Sequence, residues 1–241
     1  MTVLEDGRDL RQKVAQACRI IAHRDLAAGV LGHVSARVSE TEIVVRCRGP
    51  KERGLAATVA GDVWRMTLDG ESVDLPAGYA PPKELALHTE VFRLRPEVGA
   101  VVHAHPRSAL LCGLAGLEPR PVFGAYDIPA TRLAAKGIPV YPRGVLVARR
   151  ELAREMVAAM DGADVCLLRG HGVTVVGDDV EAAIVRCVAL NTVLEVTVEL
   201  AQLGAAPEGV SDGDLADLPD LGPSFNERQS WRALLAELPD A

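Results

Sequence analysis

The spacing of apolar residues along the chain predicts helices interspersed with antiparallel strands. Apolar side chains recur at helical spacing over residues 8–25, and glycines at positions 29 and 32 would end that helix. Short alternating or β-branched runs then predict two hairpins, the second of them around Asp69-Gly70. Their strands cover residues 33–38 and 42–46, then 63–68 and 72–75.

The second part of the chain also mixes helices with strands, without a regular βαβ rhythm or a nucleotide-binding motif. The pattern predicts strands over 99–104, 164–168 and 173–176, and helices over 83–94, 107–115 and 151–160. Asp178 and Glu181 would cap a long helix that ends near residue 203. We therefore expect an α/β fold with one catalytic domain over 1–203. An acidic, mobile linker and a C-terminal helix would occupy 204–241, with Trp231 either closing over a site or packing on the domain.

Composition and charge exclude several classes of function. The 241 residues are 49% apolar and carry a formal net charge of −7, so the chain lacks the basic surface that binding to nucleic acid requires. No apolar run reaches the roughly 20 residues that span a bilayer, and the N-terminus lacks the apolar stretch of a secretion signal. The five cysteines form no CxxC pair, which predicts buried thiols. We expect a cytoplasmic protein without nucleic-acid or membrane partners.

Three histidines and one glutamate form the strongest candidate site. His103 and His105 lie two residues apart at the end of an apolar strand, so both imidazoles face the same side. His171 stands between two glycines after another apolar strand, and Glu84 begins the helix before His103. Three imidazoles and a carboxylate suit a divalent transition metal or acid–base chemistry. Taken singly, the same residues also fit core or surface histidines and an acid favoured by the helix dipole.

These residues belong to a longer pattern that resembles the class II aldolase and adducin family. The resemblance covers about residues 10–203 and is carried by the glycine-rich segment 28–37, Pro82-Lys83-Glu84, His103-Ala104-His105 and Arg169-Gly170-His171-Gly172. It implies a three-layer α/β/α sandwich around a mainly antiparallel sheet, usually in a homotetramer with active sites between subunits. It further implies one divalent ion per subunit, whether zinc, manganese, iron or cobalt. The ion would be held by His103, His105, His171 and Glu84, with Glu84 also the catalytic acid or base.

The chain departs from the sugar-phosphate members of that family at positions that bind the phosphate. Those members carry an asparagine in the glycine-rich loop and two serines before the glutamate, where this chain has His33, Pro82 and Lys83. Proline offers neither a hydroxyl nor a backbone N–H, so a sugar phosphate is disfavoured. Four cations lie close together instead, in a segment that suits carboxylate recognition or a solvated loop. They are Arg46, Arg48, Lys51 and Arg53.

The glycine-rich loop, the basic segment and Pro82-Lys83-Glu84 together are similar to the decarboxylase branch of the family, which acts on hydroxylated aromatic dicarboxylates such as dihydroxyphthalate. That resemblance implies a carboxy-lyase whose metal chelates a ring hydroxyl and a carboxylate. One alternative is an aldolase or dehydratase acting on a sugar or sugar phosphate. Another is a non-catalytic, adducin-like module, which would not need to retain all four ligands.

Further residues are predicted to bind the substrate. His33 replaces the loop asparagine and would act as a hydrogen-bond donor or acid, while Tyr126 falls near the position of a loop tyrosine in aldolases. His88 shares a helix face with Glu84, four residues earlier, and we expect it at the helix surface. The predicted substrate-binding residues are His33, Ser35, Arg46, Arg48, Lys51, Arg53, Lys83 and Tyr126.

Overall fold

A computed structural model describes residues 7–239 and contains one mixed sheet covered by helices. The strands are β1 (His33–Arg37), β2 (Glu42–Arg46), β3 (Val63–Thr67), β4 (Ala100–Ala104), β5 (Val140–Tyr141), β6 (Val165–Leu168) and β7 (Gly172–Gly177). The α-helices are α1 (Gly7–His23), α2 (Leu85–Leu94), α3 (Arg107–Ala115), α4 (Ile128–Ala135), α5 (Arg150–Met160), α6 (Val180–Gln202), α7 (Asp212–Asp217) and α8 (Ser230–Ala236).

The sheet has seven strands in the order β3-β2-β1-β4-β7-β6-β5. Every neighbouring pair is antiparallel except β5 and β6, which are parallel. In the centre of the sheet, β4 lies between β1 and β7, and His103 is directly opposite His33 on one side and Thr174 on the other. The predicted, mainly antiparallel sheet is confirmed.

Alternate residues of the strands face two separate cores, which makes the fold a three-layer sandwich. Val102 packs with residues of α1, α3, α6 and α8 on one face of the sheet. Its neighbour Val101 packs with residues of α2 and α5 on the other face. Because side chains two residues apart in a strand share a face, His103 lies with Val101 on the side of α2. The three-layer prediction is therefore confirmed.

The predicted buried thiols are confirmed within the described residues. The five cysteines are unpaired and buried, and burial raises the pKa of the Cys18 thiol to about 12. Within residues 7–239, no helix has both the length and the apolar character needed to cross a bilayer. Most of the N-terminal segment considered for a secretion signal lies outside the described residues.

The second predicted hairpin is only partly formed. β3 is present, but residues 72–75 form no strand and contribute a single bridge between Met66 and Ser72. The side chain of Asp74 replaces part of the ladder, since its Oδ1 accepts a hydrogen bond from the backbone N–H of Arg65 at 2.9 Å. Its Oδ2 also pairs with the guanidinium of Arg65 at 3.2 Å. This carboxylate holds the segment against β3 without a second strand.

Other corrections concern the ends of elements and short elements. The long helix α6 is capped by Asp179, whose carboxylate accepts from the N–H of Ala182 at 2.8 Å, and not by the predicted Asp178. The expected linker over 204–223 contains the short helix α7, and the N–H of Val210 bonds the carbonyl of Pro121 at 2.7 Å. Trp231 on α8 is buried in the core beside α1 and α6, so it packs on the domain.

Candidate metal centre

The two histidines of β4 and the segment after it reach the site through the alternation of the strand. His103 is completely buried within β4, and His105 follows two residues later, where its backbone N–H bonds the carbonyl of Leu26 at 2.8 Å. The Nδ1 of His103 lies 3.0 Å from the carbonyl oxygen of Val173 on β7. A carbonyl only accepts, so Nδ1 carries the hydrogen and Nε2 keeps its lone pair. That is the tautomer a metal ligand needs.

His171 enters the same site from the tight turn between β6 and β7. Gly170 in this turn has a φ of +68°, a conformation that glycine adopts without strain. Gly172 begins β7, where a Cβ would lie 2.2 Å from the carbonyl oxygen of Ala104 and 2.9 Å from the His105 ring. Glycine at this position therefore lets the turn approach β4 closely and brings His171 beside His105.

Glu84 occupies the N-terminal cap position of α2, and its two carboxylate oxygens face different partners. Its Oε1 accepts from the backbone N–H of Val147 at 2.9 Å, which fixes the carboxylate. Its Oε2 lies 3.4 Å from Nε2 of His103 and 3.7 Å from Nε2 of His171. Glu84, His103, His105 and His171 each offer one candidate ligand atom, and these four atoms all lie within 4.8 Å of one another. The structure thus brings together the four residues predicted to bind a metal.

The donor set fits a divalent ion. Ligand atoms around a tetrahedral ion with bonds near 2.1 Å are about 3.4 Å apart, which matches the distances from Glu84 to His103 and His171. The Nε2 atoms of His103 and His105 lie 2.7 Å apart. Since Nε2 of His103 carries a lone pair, this approach suits a hydrogen or a cation between the two nitrogens. Three imidazoles and one carboxylate suit zinc, manganese, iron or cobalt.

The pKa shifts around the site favour the protonation states of metal ligands. Burial lowers the pKa of His105 to about 3, with help from the neighbouring His103 and His171. Burial also lowers the pKa of His171. For Glu84, burial alone would raise the pKa, but hydrogen bonding and charge from His103 and His33 outweigh it and hold the pKa well below its usual range. Neutral imidazoles and an ionised carboxylate bind a cation without first losing protons.

His33 and His88 extend the cluster beyond the four ligands. The Nε2 of His33 lies 3.8 Å from Oε2 of Glu84, and burial lowers the pKa of His33 to about 4. His88 is completely buried, so the expected helix-surface position is wrong. Its ring lies 2.6 Å from Nδ1 of His33 and 2.5 Å from Oγ of Ser35. The sequence signal for His88 is its spacing of four residues from Glu84 on one helix face. The same spacing is also typical of a helix surface.

The remaining predicted residues lie at different distances from the cluster. Burial is the main cause of the lowered pKa of His33, and the positive charge of Arg48 in the basic segment adds to it. The guanidinium of Arg48 donates to the carbonyl of Val30 at 3.1 Å. Arg46 is buried and pairs with Glu52. Arg53 donates to the carbonyl of Ala57 at 3.1 Å, and Lys51 and Lys83 are exposed.

Tyr126 is 81% exposed in the loop before α4, where its ring contacts that of Phe123. Tyr126 is not part of the metal-ligand cluster that the described residues form. Ser35, by contrast, is buried next to the cluster, where its hydroxyl is occupied by His88. The structure therefore places His33 beside Glu84 and Ser35 beside His88, and it leaves Tyr126 exposed in its loop.

Comparisons with known proteins agree with this geometry. The family model described as Class II Aldolase and Adducin N-terminal domain matches residues 12–198. The chain is 50% identical over 231 residues to a 3,4-dihydroxyphthalate decarboxylase from Arthrobacter keyseri, covering 95% of this chain and 93% of that protein. It is 40% identical over 230 residues to a 3,4-dihydroxyphthalate decarboxylase from Rhodococcus jostii, covering 94% of this chain and 95% of that protein.

Solved structures support the fold. An aldolase II superfamily protein from Pseudomonas syringae superposes with a TM-score of 0.80 at 22% sequence identity, covering 98% of this chain and 94% of that chain. At this identity the superposition shows a common architecture and leaves the reaction open.

Proposed function

Because the chain belongs to the class II aldolase and adducin family, we propose that it is a metal-dependent carboxy-lyase that releases carbon dioxide from a hydroxylated aromatic dicarboxylate. Its similarity to dihydroxyphthalate decarboxylases over nearly the whole chain carries this proposal. The cluster of Glu84 and three histidines supports it, since it offers a cation site beside an acid–base group.

His103, His105, His171 and Glu84 are the residues that would hold one divalent ion, whether zinc, manganese, iron or cobalt. When bound, the ion would draw electron density from a ring oxygen and the adjacent carboxylate as carbon dioxide leaves. Metal analysis of the purified protein identifies the ion. Oε2 of Glu84 is the oxygen that would bind the ion or carry a proton, because Oε1 is held by the backbone N–H of Val147.

Glu84 would move one proton during the reaction. In its ionised state it accepts the proton of the ring hydroxyl, and it then delivers this proton to the neighbouring ring carbon that bears the carboxylate. That carbon becomes tetrahedral beside a carbonyl group. Its bond to the carboxylate breaks, carbon dioxide leaves, and the bonding electrons restore the aromatic ring as a phenolate. A solvent proton completes the phenol product, so Glu84 ends the cycle ionised as it began.

His33 and Arg48 would orient the substrate. His33 faces Glu84 and offers a hydrogen-bond donor to a carboxylate, and Arg48 supplies a positive charge on the same side. For Ser35, Arg46, Lys51, Arg53, Lys83 and Tyr126, substrate binding stays a prediction. The hydroxyl of Ser35 is bonded to His88, and one nitrogen of the Arg46 guanidinium pairs with Glu52.

We further propose that residues 1–203 form the catalytic domain, that the chain assembles as a homotetramer and that it works in the cytoplasm. Exposed apolar side chains such as Leu114 and Leu203, at 63% and 80%, support assembly. The five unpaired cysteines are consistent with a reducing compartment. An exposed Tyr126 would then face a neighbouring subunit, and sedimentation of the purified protein tests the tetramer.

The reaction is tested with 3,4-dihydroxyphthalate. The purified, metal-loaded protein is expected to release one carbon dioxide per substrate, and a chelator should lower the rate by at least about a hundredfold, since the ion contributes several kcal/mol. Phthalate is the matched control, because it has both carboxylates and no ring hydroxyl. Release from phthalate at the same rate would contradict the proposed proton transfer. No release from dihydroxyphthalate, together with retro-aldol cleavage of a sugar phosphate, would replace the decarboxylase with the aldolase alternative.

Arg48→Gln tests the recognition of the substrate's second carboxylate. The loss of one charge-assisted hydrogen bond is expected to raise KM by about tenfold and to change kcat by less than about threefold. Arg53→Gln is the matched control, because Arg53 belongs to the same basic segment and its guanidinium donates to the carbonyl of Ala57. An equal rise in KM for both variants would show that the segment attracts substrate through its general charge and that Arg48 makes no specific contact.

A further inference from the structure

His88 lies one turn after Glu84 on α2 and is completely buried between the sheet and that helix. Its two ring nitrogens face different partners. Nε2 lies 2.6 Å from Nδ1 of His33, and Nδ1 lies 2.5 Å from Oγ of Ser35. The rings of His33 and His88 meet edge to face, with centroids 4.8 Å apart. The ring nitrogens of His88 thus meet His33 and Ser35, and His33 in turn faces Glu84.

The β1 register explains why this contact forms. His33 and Ser35 lie two residues apart in β1, so both side chains face α2. Val34 between them packs into the opposite core with Val102. His33 is also directly opposite His103 in β4, with the two rings stacked at 5.0 Å. The imidazole of His33 is thus fixed between a candidate metal ligand and His88.

The carboxylate of Glu84 sets the direction of the hydrogen bonds. An ionised carboxylate only accepts, so the Nε2 that His33 turns toward Oε2 of Glu84 is favoured as an N–H. Nδ1 of His33 then accepts from the Nε2–H of His88. Nδ1 of His88 in turn accepts from the hydroxyl of Ser35. The opposite direction would point the lone pair of His33 at the carboxylate.

This chain of hydrogen bonds orients groups and does not conduct protons. It ends at Ser35, whose side chain is completely buried. Passing a proton along the chain toward Glu84 would leave an alkoxide on Ser35 with no route to solvent, which is strongly unfavourable at neutral pH. A serine hydroxyl at this end can, however, satisfy Nδ1 of His88 and so select one tautomer.

We propose that His88 is a positioning residue that fixes His33 as an Nε2–H donor directed at the substrate carboxylate beside Glu84. This role rests on the proposed decarboxylase function. Ser35 supports the same tautomer from the far side of His88. His33, in contrast, is the residue whose N–H touches the substrate.

Two substitutions of His88 separate this role from a general effect on folding. Leucine fills a similar volume and donates nothing, whereas the side-chain amide of glutamine places an N–H near the position of Nε2. We expect His88→Leu to lower kcat by about tenfold to fiftyfold, with less change in KM, and His88→Gln to recover all but about threefold. In a His33→Ala background, His88→Leu should change kcat by less than about twofold, because the two residues act as one unit.

The tautomer itself is measured by solid-state ¹⁵N NMR of zinc-loaded, histidine-labelled protein, with the His33 signals identified by their loss in His33→Ala. Wild type and His88→Gln should show hydrogen on Nε2 of His33, and His88→Leu should show a mixture of the two tautomers. Thr131→Val is the control for lost stability, because its buried hydroxyl bonds the carbonyl of Phe123 at 2.7 Å. It should leave the tautomer unchanged.

The outcomes distinguish the positioning role from the proposed function. An unchanged His33 tautomer in His88→Leu, or an undiminished effect of that substitution in the His33→Ala background, would overturn the role of His88. Absence of carbon dioxide release by the wild type would overturn the decarboxylase function while the NMR result still decides which nitrogen of His33 carries the hydrogen.

Discussion

His103→Ala is expected to remove both the bound metal ion and the turnover. His103 is the only ligand of the four within the central strand, and its Nε2 lies 3.4 Å from Glu84 and 2.7 Å from His105. Without this imidazole the remaining ligands hold a cation much more weakly. A bound ion contributes several kcal/mol to the stabilisation of developing charge, so kcat should fall by about a thousandfold or more. Elemental analysis and carbon dioxide release measure the two losses on one preparation.

Loss of folding must be separated from loss of the ion. His103 is completely buried, and its ring bonds the carbonyl of Val173, so alanine also leaves a cavity and an unpaired acceptor. His103→Gln fills more of that space and should show the same loss of metal and activity with a smaller drop in thermal stability. His23→Ala, at the exposed end of α1, is the matched histidine control and should retain both metal and rate. Full activity of His103→Gln without bound metal would refute a metal-dependent reaction.

The ligand cluster could be predicted because each ligand has a local signal. His103 and His105 share a strand face through their spacing, and His171 lies in a turn marked by its flanking glycines. Glu84 precedes a clear helical pattern, which placed it at the cap position. These signals fix local geometry, and the resemblance to a known family supplied the fact that they meet.

The role of His88 could not be predicted in the same way. Its burial depends on which face of α2 packs against the sheet, and α2 has buried residues on most of its circumference. The partners of His88 lie in β1, and β1 is placed by its pairing with β4. Two other strands separate β1 from β4 along the chain. A long-range register of this kind has no local signature, so a buried histidine and a surface histidine look alike in the sequence.

The short elements could not be predicted from the sequence for a related reason. β5 contains two residues and exists through its parallel pairing with β6, which the local sequence does not indicate. The helix α4 did carry recognisable signals, with Asp127 as its cap and Pro129 in the first turn. Its eight residues are too few for a clear apolar period, so the apolar pattern alone does not predict this helix.

Glu84→Gln is expected to reduce turnover far more than it reduces stability. The amide has nearly the same shape and can keep the hydrogen bond from Val147, so the loop and the start of α2 should remain in place. It cannot take a proton from the ring hydroxyl or return one to the ring carbon, which should lower kcat by about a hundredfold to ten thousandfold. Carbon dioxide release at saturating substrate and metal measures this loss, and thermal unfolding monitors the fold.

Glu90→Gln provides a control within the same helix. Glu90 is completely buried and pairs with Arg93, Arg150 and Arg154 at 2.8–3.1 Å. We expect its substitution to cost about 1–2 kcal/mol of unfolding free energy, because three charge-assisted contacts weaken, and to leave kcat within about threefold. The two variants should therefore have opposite profiles, one losing rate and the other stability.

The rate and the metal content of Glu84→Gln, with Glu90→Gln as the control, decide whether Glu84 acts as a metal ligand or as a proton carrier. If Glu84→Gln loses rate only in proportion to lost metal, then the carboxylate acts as a ligand, and excess metal should restore turnover. If the rate stays low when metal analysis shows full occupancy, the missing function is proton transfer. The low pKa of Glu84 is compatible with both outcomes, because an ionised carboxylate can bind a cation and can also accept a proton. Restoration of full activity by added metal would instead assign that proton to another group at the site.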